Sequence, residues 1–298
     1  MAKISINLKE NILNRKDVNH IVRYCSKLEY IIDNITIKGF HPSYCKETFN
    51  DENLLIPMVS FCNIPLREVE NYMYYGDYGI GFNIEWAIKN KISPVMYVHE
   101  NSEAIKLSKN LEKDLRPLIV EGALNSSIKN IALNQNGINS NDDLFYTKNS
   151  LSEIRNNNIK IIQNLKPWKS ILNFKIEIKL NDSVCDTFED IEINSYNERE
   201  WRFVPEFEQS EFESIIKENN PNYKKYTTSE IKKPHFKNNK YKLSFELSDI
   251  KYIIVKEQNE VEKVVETLKK TFGVVDVNES MIKGKVQIVS KESLKTDY

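Results

Sequence analysis

The order of strand-like and helix-like patterns is the feature that most constrains the fold of this chain. The clearest strand pattern is LNFKIEIKL (172–180), where apolar and polar residues alternate strictly, as in a strand with one buried face. Short apolar runs at 57–66, 93–98 and 249–256 are typical of buried strands. Helical patterns lie between them without a regular strand–helix–strand repeat. The sequence therefore predicts an α+β fold with a mixed or mostly antiparallel central sheet flanked by helices.

Two segments have the apolar spacing of a helix, and a third is polar. Residues 17–34 carry an apolar stripe that predicts a helix with Asp17 as its N-cap, and 101–121 predict an amphipathic helix. Residues 125–158 are rich in Asn, Ser and Asp, which predicts weak order and broken helices. We expect one α+β domain over 1–298, with a variable, weakly ordered insertion around 122–160.

Composition excludes several classes of protein. The 298 residues hold 42 Lys and Arg against 43 Asp and Glu, so no overall field draws the chain to nucleic acid or to anionic membranes. We find no helix-turn-helix with a basic recognition helix, no cysteine pair with metal-site spacing, and no apolar run near the roughly 18 residues that a membrane span needs. Without an apolar signal segment, a cytoplasmic protein with free thiols is expected.

The charged stretch NEREWRF is the strongest candidate for a functional site. If 198–204 is a strand, Glu198, Glu200 and Arg202 share one face, while the opposite face is largely apolar and turns to the core. Two carboxylates beside a guanidinium can bind a ribose diol or a phosphate, or share acid and base roles. The alternative is a cross-strand lattice of ion pairs, each worth about 1 kcal/mol or less when exposed. The residues alone leave both interpretations open, and also a partner interface.

Other candidates come from a turn and from an aromatic run. His41 lies in the turn GFHPSYC, and catalytic side chains favour such loops, although a hydrogen-bonded structural histidine is the alternative. Tyr75 and Tyr78 belong to a tyrosine-rich run whose rings could stack on a base or a nicotinamide. The alternative for that run is packing in the core and at its rim.

Several blocks of the chain resemble one known family. They are GFHPSYCKE (39–47), PMVSFCNIPL (57–66), YGDYGIGFNIEWAIKNKISPVMYV (75–98) and NEREWRFVP (197–205). In these blocks, and in DIKYIIVK after them, the chain resembles the AbiGi family of abortive-infection proteins. That resemblance implies the antitoxin half of a bacterial phage-defence pair whose partner resembles a nucleotidyltransferase toxin. It implies a protein partner, either a cognate toxin or a phage component, and supplies no catalytic residues.

A looser resemblance concerns mechanism. The order of a histidine or arginine strand, a Ser/Thr strand and a Glu-x-Glu strand is similar to ADP-ribosyltransferase-like folds, with His41, Ser60 and Glu198–Glu200 at the matching positions. It implies NAD as cofactor and cleavage of the nicotinamide–ribose bond, either as transfer or as hydrolysis. On this reading the catalytic residues are Glu200, Glu198 and His41, and the ligand-binding residues are Ser60, Tyr75, Tyr78 and Arg202. The chain departs from the pattern, since it lacks a Ser-Thr-Ser triplet and a clear arginine on the first strand.

Overall fold

The structure is a computed structural model. It describes residues 18–49, 52–66, 68, 75–99, 101–111, 113–114, 142–180, 183–207, 212–227 and 239–296, with the backbone alone for 142–150 and 171–189. The strands are β1 (His20–Cys25), β2 (Gly39–Phe40), β3 (Ser43–Phe49), β4 (Glu52–Cys62), β5 (Tyr78–Asn83), β6 (Ser93–Pro94), β7 (Met96–Val98), β8 (Leu165–Pro167), β9 (Lys169–Leu180), β10 (Ser183–Asn194), β11 (Glu200–Phe203), β12 (Ile216–Lys217), β13 (Leu243–Ser244), β14 (Ile250–Val255) and β15 (Gln287–Ser290). The helices are α1 (Leu28–Thr36), α2 (Ile84–Lys89), α3 (103–111), α4 (Asp142–Gln163), α5 (Tyr223–Thr227), α6 (Val261–Phe272), α7 (Val274–Ile282) and α8 (Lys291–Thr296).

A central sheet organises these elements in the order β15-β14-β5-β1-β4-β11-β6. Its pairs are antiparallel except for the parallel pair β14–β15. The long strand β4 pairs with β3 and β12 along its first part and with β11 and β1 near its end. The predicted α+β class with a mixed, mostly antiparallel sheet is confirmed, and β4 links the two parts of that sheet.

The main core lies between this sheet and the helices on one of its faces. Its centre is aromatic, with Phe82 stacked on Trp86 at 4.2 Å between ring centroids and with Phe40 and Phe61 edge-on to Phe82. Helices α1, α6 and α7 add buried aliphatic side chains to the same core. Trp201 of β11 packs against it as well, so one face of β11 is committed to the core.

The first predicted helix is wrong over half of its length. Residues His20–Cys25 form β1, and the helix begins only at Leu28. Both faces of β1 are buried, with Ile21 in the main core and Val22 and Tyr24 in a separate apolar cluster, so its apolar residues need not alternate. A buried strand of this kind can imitate helical spacing. His20 then has a structural role, because its Nε2 lies 3.0 Å from the carbonyl oxygen of Ile64.

The second half of the predicted insertion contains one long helix. Residues Asp142–Gln163 form one continuous helix, α4, and not broken helices, whereas 122–141 lie outside the described residues. Two buried hydrogen bonds attach α4 to α3, from Ser108 Oγ to Asn158 Oδ1 at 2.7 Å and from Asn158 Nδ2 to the Ser108 carbonyl at 3.0 Å. The predicted strand 172–180 is confirmed within β9, which pairs with β10 along its whole length. The single domain over 1–298 and its variable, weakly ordered insertion around 122–160 stay predictions.

Candidate functional site

The charged stretch begins its strand two residues later than the sequence predicts. Ser195–Glu198 form a 3-10 turn, Arg199 adopts a left-handed conformation with φ of 45°, and β11 starts at Glu200. Glu198 therefore lies in the turn and not on the strand. From Glu200 onward the predicted alternation holds, with Glu200 opposite Cys62 of β4 and Arg202 opposite Ser60.

The charged face of β11 is buried. Strand β11 lies between β4 and β6, and Arg202 and Glu200 are only 1% and 4% exposed. The alternative interpretation from the sequence was an exposed lattice of ion pairs. It is corrected in one respect, because the charged side chains are buried. A buried charge is costly unless ionic partners and hydrogen bonds satisfy it, so the partners of these groups decide what the site can do.

The guanidinium of Arg202 is surrounded by acceptors. Its Nε donates to Glu200 Oε1 at 2.9 Å, and Nη2 donates to Glu47 Oε1 at 2.6 Å. Its Nη1 donates to the carbonyl oxygens of Gln163 at 2.8 Å and Leu165 at 3.3 Å. The neighbouring carboxylates outweigh desolvation and raise the pKa of Arg202. Arg202 thus ties β11 to β3, to the end of α4 and to β8.

Lys166 of β8 is the second cation of the cluster. Its Nζ lies 3.2 Å from Glu200 Oε2, 3.4 Å from Glu47 Oε1 and 3.9 Å from Glu198 Oε2. Although burial would lower the pKa of Lys166, the three carboxylates raise it. The lysine therefore stays charged and neutralises carboxylates from β3, β11 and the preceding turn.

The arrangement holds Glu200 as an anion with both oxygens occupied. One oxygen binds Arg202 and the other faces Lys166, and the Ser60 side chain adds a hydrogen bond. Desolvation opposes ionisation, but the interactions with these partners outweigh it and lower the pKa of Glu200 to about 2. A carboxylate with so low a pKa is a poor general acid or base near neutral pH.

Glu198 behaves differently from Glu200. Burial raises its pKa, although Lys166 and a hydrogen bond from Tyr75 favour the charged form. The ion pairs described above join two cations, Arg202 and Lys166, to three carboxylates. These carboxylates are Glu47, Glu198 and Glu200, so they outnumber the cations by one. Glu198 has the longest ion-pair distance of the three, so the proton that relieves the excess negative charge goes most readily to Glu198.

The structure brings together most of the residues that the sequence singled out. Glu198, Glu200, Arg202, Ser60 and Tyr75 are joined by the contacts above. Tyr78 is not, because its hydroxyl donates to Glu260 at 2.7 Å, near the start of α6. His41 lies half-buried in the turn between β2 and β3, outside the hydrogen bonds and ion pairs given above.

Two members of the cluster, Glu47 and Lys166, were missed by sequence reasoning. Glu47 stands on β3 at the same face as Cys45 and Phe49, so a charge at a core-facing strand position was an available signal. Lys166 gave no signal, since nothing in its neighbourhood distinguishes it from a surface lysine. These two residues change the chemistry of the site, because they complete the neutralisation of Glu200 and Arg202.

The cluster does not fit NAD in this arrangement. A ribose diol at Glu200 would have to displace Arg202 or Lys166 from a side chain that is 5% exposed. A thiol nucleophile does not fit either, since burial and the nearby glutamates raise the pKa of Cys62 and a thiolate is needed for attack. Among the described residues no His, Cys, Asp and Glu side chains form a metal-binding group. The geometry favours a buried ion-pair cluster that holds several elements together.

The pKa of Glu198 is raised and that of Glu200 is lowered, so the two residues affect the free energy of unfolding in different pH ranges. The folded-state pKa of Glu198 is raised, so its ionised form destabilises the folded protein. This destabilisation develops as pH rises above the usual pKa of 4.5. We expect Glu198→Gln to raise the free energy of unfolding at pH 7 by about 1 kcal/mol or less, and the difference from wild type to vanish as pH falls to about 4.5.

Urea unfolding monitored by circular dichroism between pH 7 and 4.5 would measure this difference. Glu200 does not interfere in that window, because its stabilisation is lost only as pH falls from about 4.5 towards 2. Glu153→Gln, at an exposed carboxylate on α4, is the matched control and should leave the difference from wild type small at every pH. A Glu198→Gln profile parallel to that of wild type would contradict the assignment.

The comparison with known families decides what this chain is related to. Residues 38–256 match the family described as "Putative abortive phage resistance protein AbiGi, antitoxin". The chain belongs to the AbiGi family. A relative in Lactococcus lactis subsp. cremoris, "Abortive phage resistance protein AbiGi", is 26% identical over 228 residues, covering 72% of this chain and 77% of the relative. The predicted membership is confirmed, and with it the association with abortive phage resistance.

Structural comparison adds no further relative to this AbiGi protein. No solved structure matches the chain, so the resemblance to ADP-ribosyltransferase-like folds stays a prediction. Within the part of the chain that the structure describes, no helix is both long and apolar enough to cross a membrane.

Proposed function

We propose that this chain is the antitoxin of a bacterial abortive-infection pair and acts in the cytoplasm by binding and restraining a protein toxin. The family description supports an antitoxin. The observation that carries the proposal is that the charged constellation singled out by the sequence is closed on itself. The oxygens of Glu200 and the donors of Arg202 are engaged by protein groups in the interior. These residues therefore stabilise the fold, and the principal role of the protein is to bind a partner.

The cluster gives such a binding protein a rigid frame. Arg202 connects β11 with the carbonyl oxygens of Gln163 and Leu165, where α4 ends and β8 begins. Tyr97 of β7 accepts a hydrogen bond from the backbone N–H of Glu200 at 2.7 Å. The surface formed by α4, β7 and β8 is thereby fixed relative to the central sheet. A preorganised surface loses less conformational entropy on binding.

A toxin resembling a nucleotidyltransferase is the partner implied by the family, and a phage component is the alternative. Growth of bacteria that express the product of the neighbouring gene, alone or together with this chain, tests the choice. We expect arrest by the neighbour alone, and recovery of growth with co-purification of the two proteins when both are expressed. Persistent arrest in the presence of folded chain would show the proposal to be wrong.

The NAD-consuming alternative has one observation in its favour, the convergence of Glu198, Glu200 and Ser60. The ionic neutralisation described above speaks against it. The purified chain, with and without the neighbouring gene product, can be incubated with NAD and assayed for free nicotinamide. We expect no release above a heat-denatured sample, and release that is lost in Glu200→Gln with the fold retained would establish the enzyme instead.

A further inference from the structure

Two exposed aromatic rings stand side by side at the base of the β9–β10 hairpin. Trp168 immediately precedes β9, and Tyr196 follows β10 in the turn before β11. Their rings stack at 5.2 Å between centroids with an interplanar angle of 22°, yet Trp168 is 40% and Tyr196 51% exposed. We call this pair the aromatic patch. Single exposed apolar residues are ordinary on protein surfaces, whereas a stacked and fixed pair needs an explanation.

Hydrogen bonds hold the aromatic patch in place. The Trp168 N–H donates to the Val98 carbonyl at 2.8 Å, and the Ser195 N–H donates to the Trp168 carbonyl at 2.9 Å. Behind the patch, Tyr97 packs edge-on against Tyr196 at 5.3 Å and is tied to β11 through the Glu200 backbone. The rings are thus fixed before any partner arrives, and such rigid tryptophan and tyrosine side chains are typical interface anchors.

The charge around the patch indicates which class of partner it fits. Lys169 borders Trp168, and its Nζ lies 2.6 Å from Glu192 Oε1 across the hairpin. This cation is paired with a carboxylate, so the charge nearest to Trp168 is neutralised. A nucleic-acid surface needs cations available for phosphates, whereas a neutral aromatic centre with a polar rim is the anatomy of a protein–protein interface.

From this geometry we infer that the aromatic patch anchors the interface with the toxin, and that the toxin presents an uncharged apolar surface to it. The inference rests on the proposed antitoxin function and specifies where the partner binds. Because the cation beside the rings is already paired, the affinity depends little on salt. Because the rings are stacked and fixed, their removal weakens binding far more than the loss of apolar area elsewhere on the surface.

The test uses the full chain and the product of the neighbouring gene as the probe. Trp168→Ala with Tyr196→Ala is expected to weaken binding by about 30-fold or more, as expected for anchor residues, and to abolish growth rescue. The matched control is Val275→Ala with Ile282→Ala on α7, two side chains that are 75% and 85% exposed. It should bind within about 3-fold of wild type. Raising NaCl from about 50 to 300 mM should change wild-type affinity by less than about 5-fold.

Hydrogen exchange on the wild-type complex provides a readout that needs no variant. Backbone amides at 165–170 and 194–197 should be protected by the toxin, while those of α7 should not. Protection or loss of affinity at α7 in place of the patch would overturn the inference and leave the antitoxin function intact. Steep weakening with salt, or displacement of the toxin by single-stranded DNA, would point to nucleic acid and overturn it too. A wild-type chain that does not bind the toxin removes the proposed function itself.

Discussion

Replacement of Arg202 by methionine is expected to lower the free energy of unfolding by about 3–5 kcal/mol. The side chain is 0% exposed and satisfies Glu200, Glu47 and two backbone carbonyls. Methionine fills similar space but leaves those buried acceptors without the cation, and unpaired buried charge is the costly outcome. Because whole proteins are stable by only about 5–15 kcal/mol, urea unfolding at pH 7 should show a large shift of the midpoint.

Matched variants separate loss of the ion pairs from loss of an arginine. Arg155→Met, on the exposed side of α4, should change the free energy of unfolding by less than about 0.5 kcal/mol. A double variant, Arg202→Met with Glu47→Leu, should recover part of the lost stability, because it removes a carboxylate together with its cation and leaves Glu200 paired with Lys166. Wild-type stability in the single variant would mean that the cluster does not hold these strands together.

Substitution of Gly76 by alanine is expected to be about as severe, with a loss of more than about 3 kcal/mol. Gly76 has φ of 135°, a conformation that costs other residues about 1–3 kcal/mol. A Cβ at this position would overlap the carbonyl group of Cys25, which is backbone and therefore shifts at a higher cost than a flexible side chain. Overpacking of this kind costs about 1–3 kcal/mol more. Thermal unfolding followed by circular dichroism would measure the combined loss.

Gly284→Ala isolates one of the two effects at Gly76. Its φ of 64° is also in the positive region, but the atom nearest to an added Cβ is the Gln287 side-chain nitrogen at 3.9 Å. We expect a loss of about 1–2 kcal/mol from the backbone conformation alone. Equal losses in both variants would show that the close approach of Gly76 to β1 is unimportant.

Local patterns predicted the fold class and several elements well. Strict alternation at 172–180 required a strand, and β9 contains it. The two sides of β11 were also predicted correctly from Glu200 onward, with Trp201 and Phe203 against the core. The failure at His20–Cys25 has a definite cause, because a strand covered on both sides does not alternate and its spacing imitates a helix.

By itself, the sequence determined that Glu200 and Arg202 share a strand face opposite Trp201 and Phe203, because side-chain alternation is a local property of extended backbone. Only the tertiary structure decided that this face is buried and what neutralises it. Glu47 is 155 residues from Arg202 along the chain, and Lys166 comes from a different strand again. Whether a carboxylate is reactive or merely paired depends on charges within a few ångströms, and the packing of β3, β8 and β11 sets those distances.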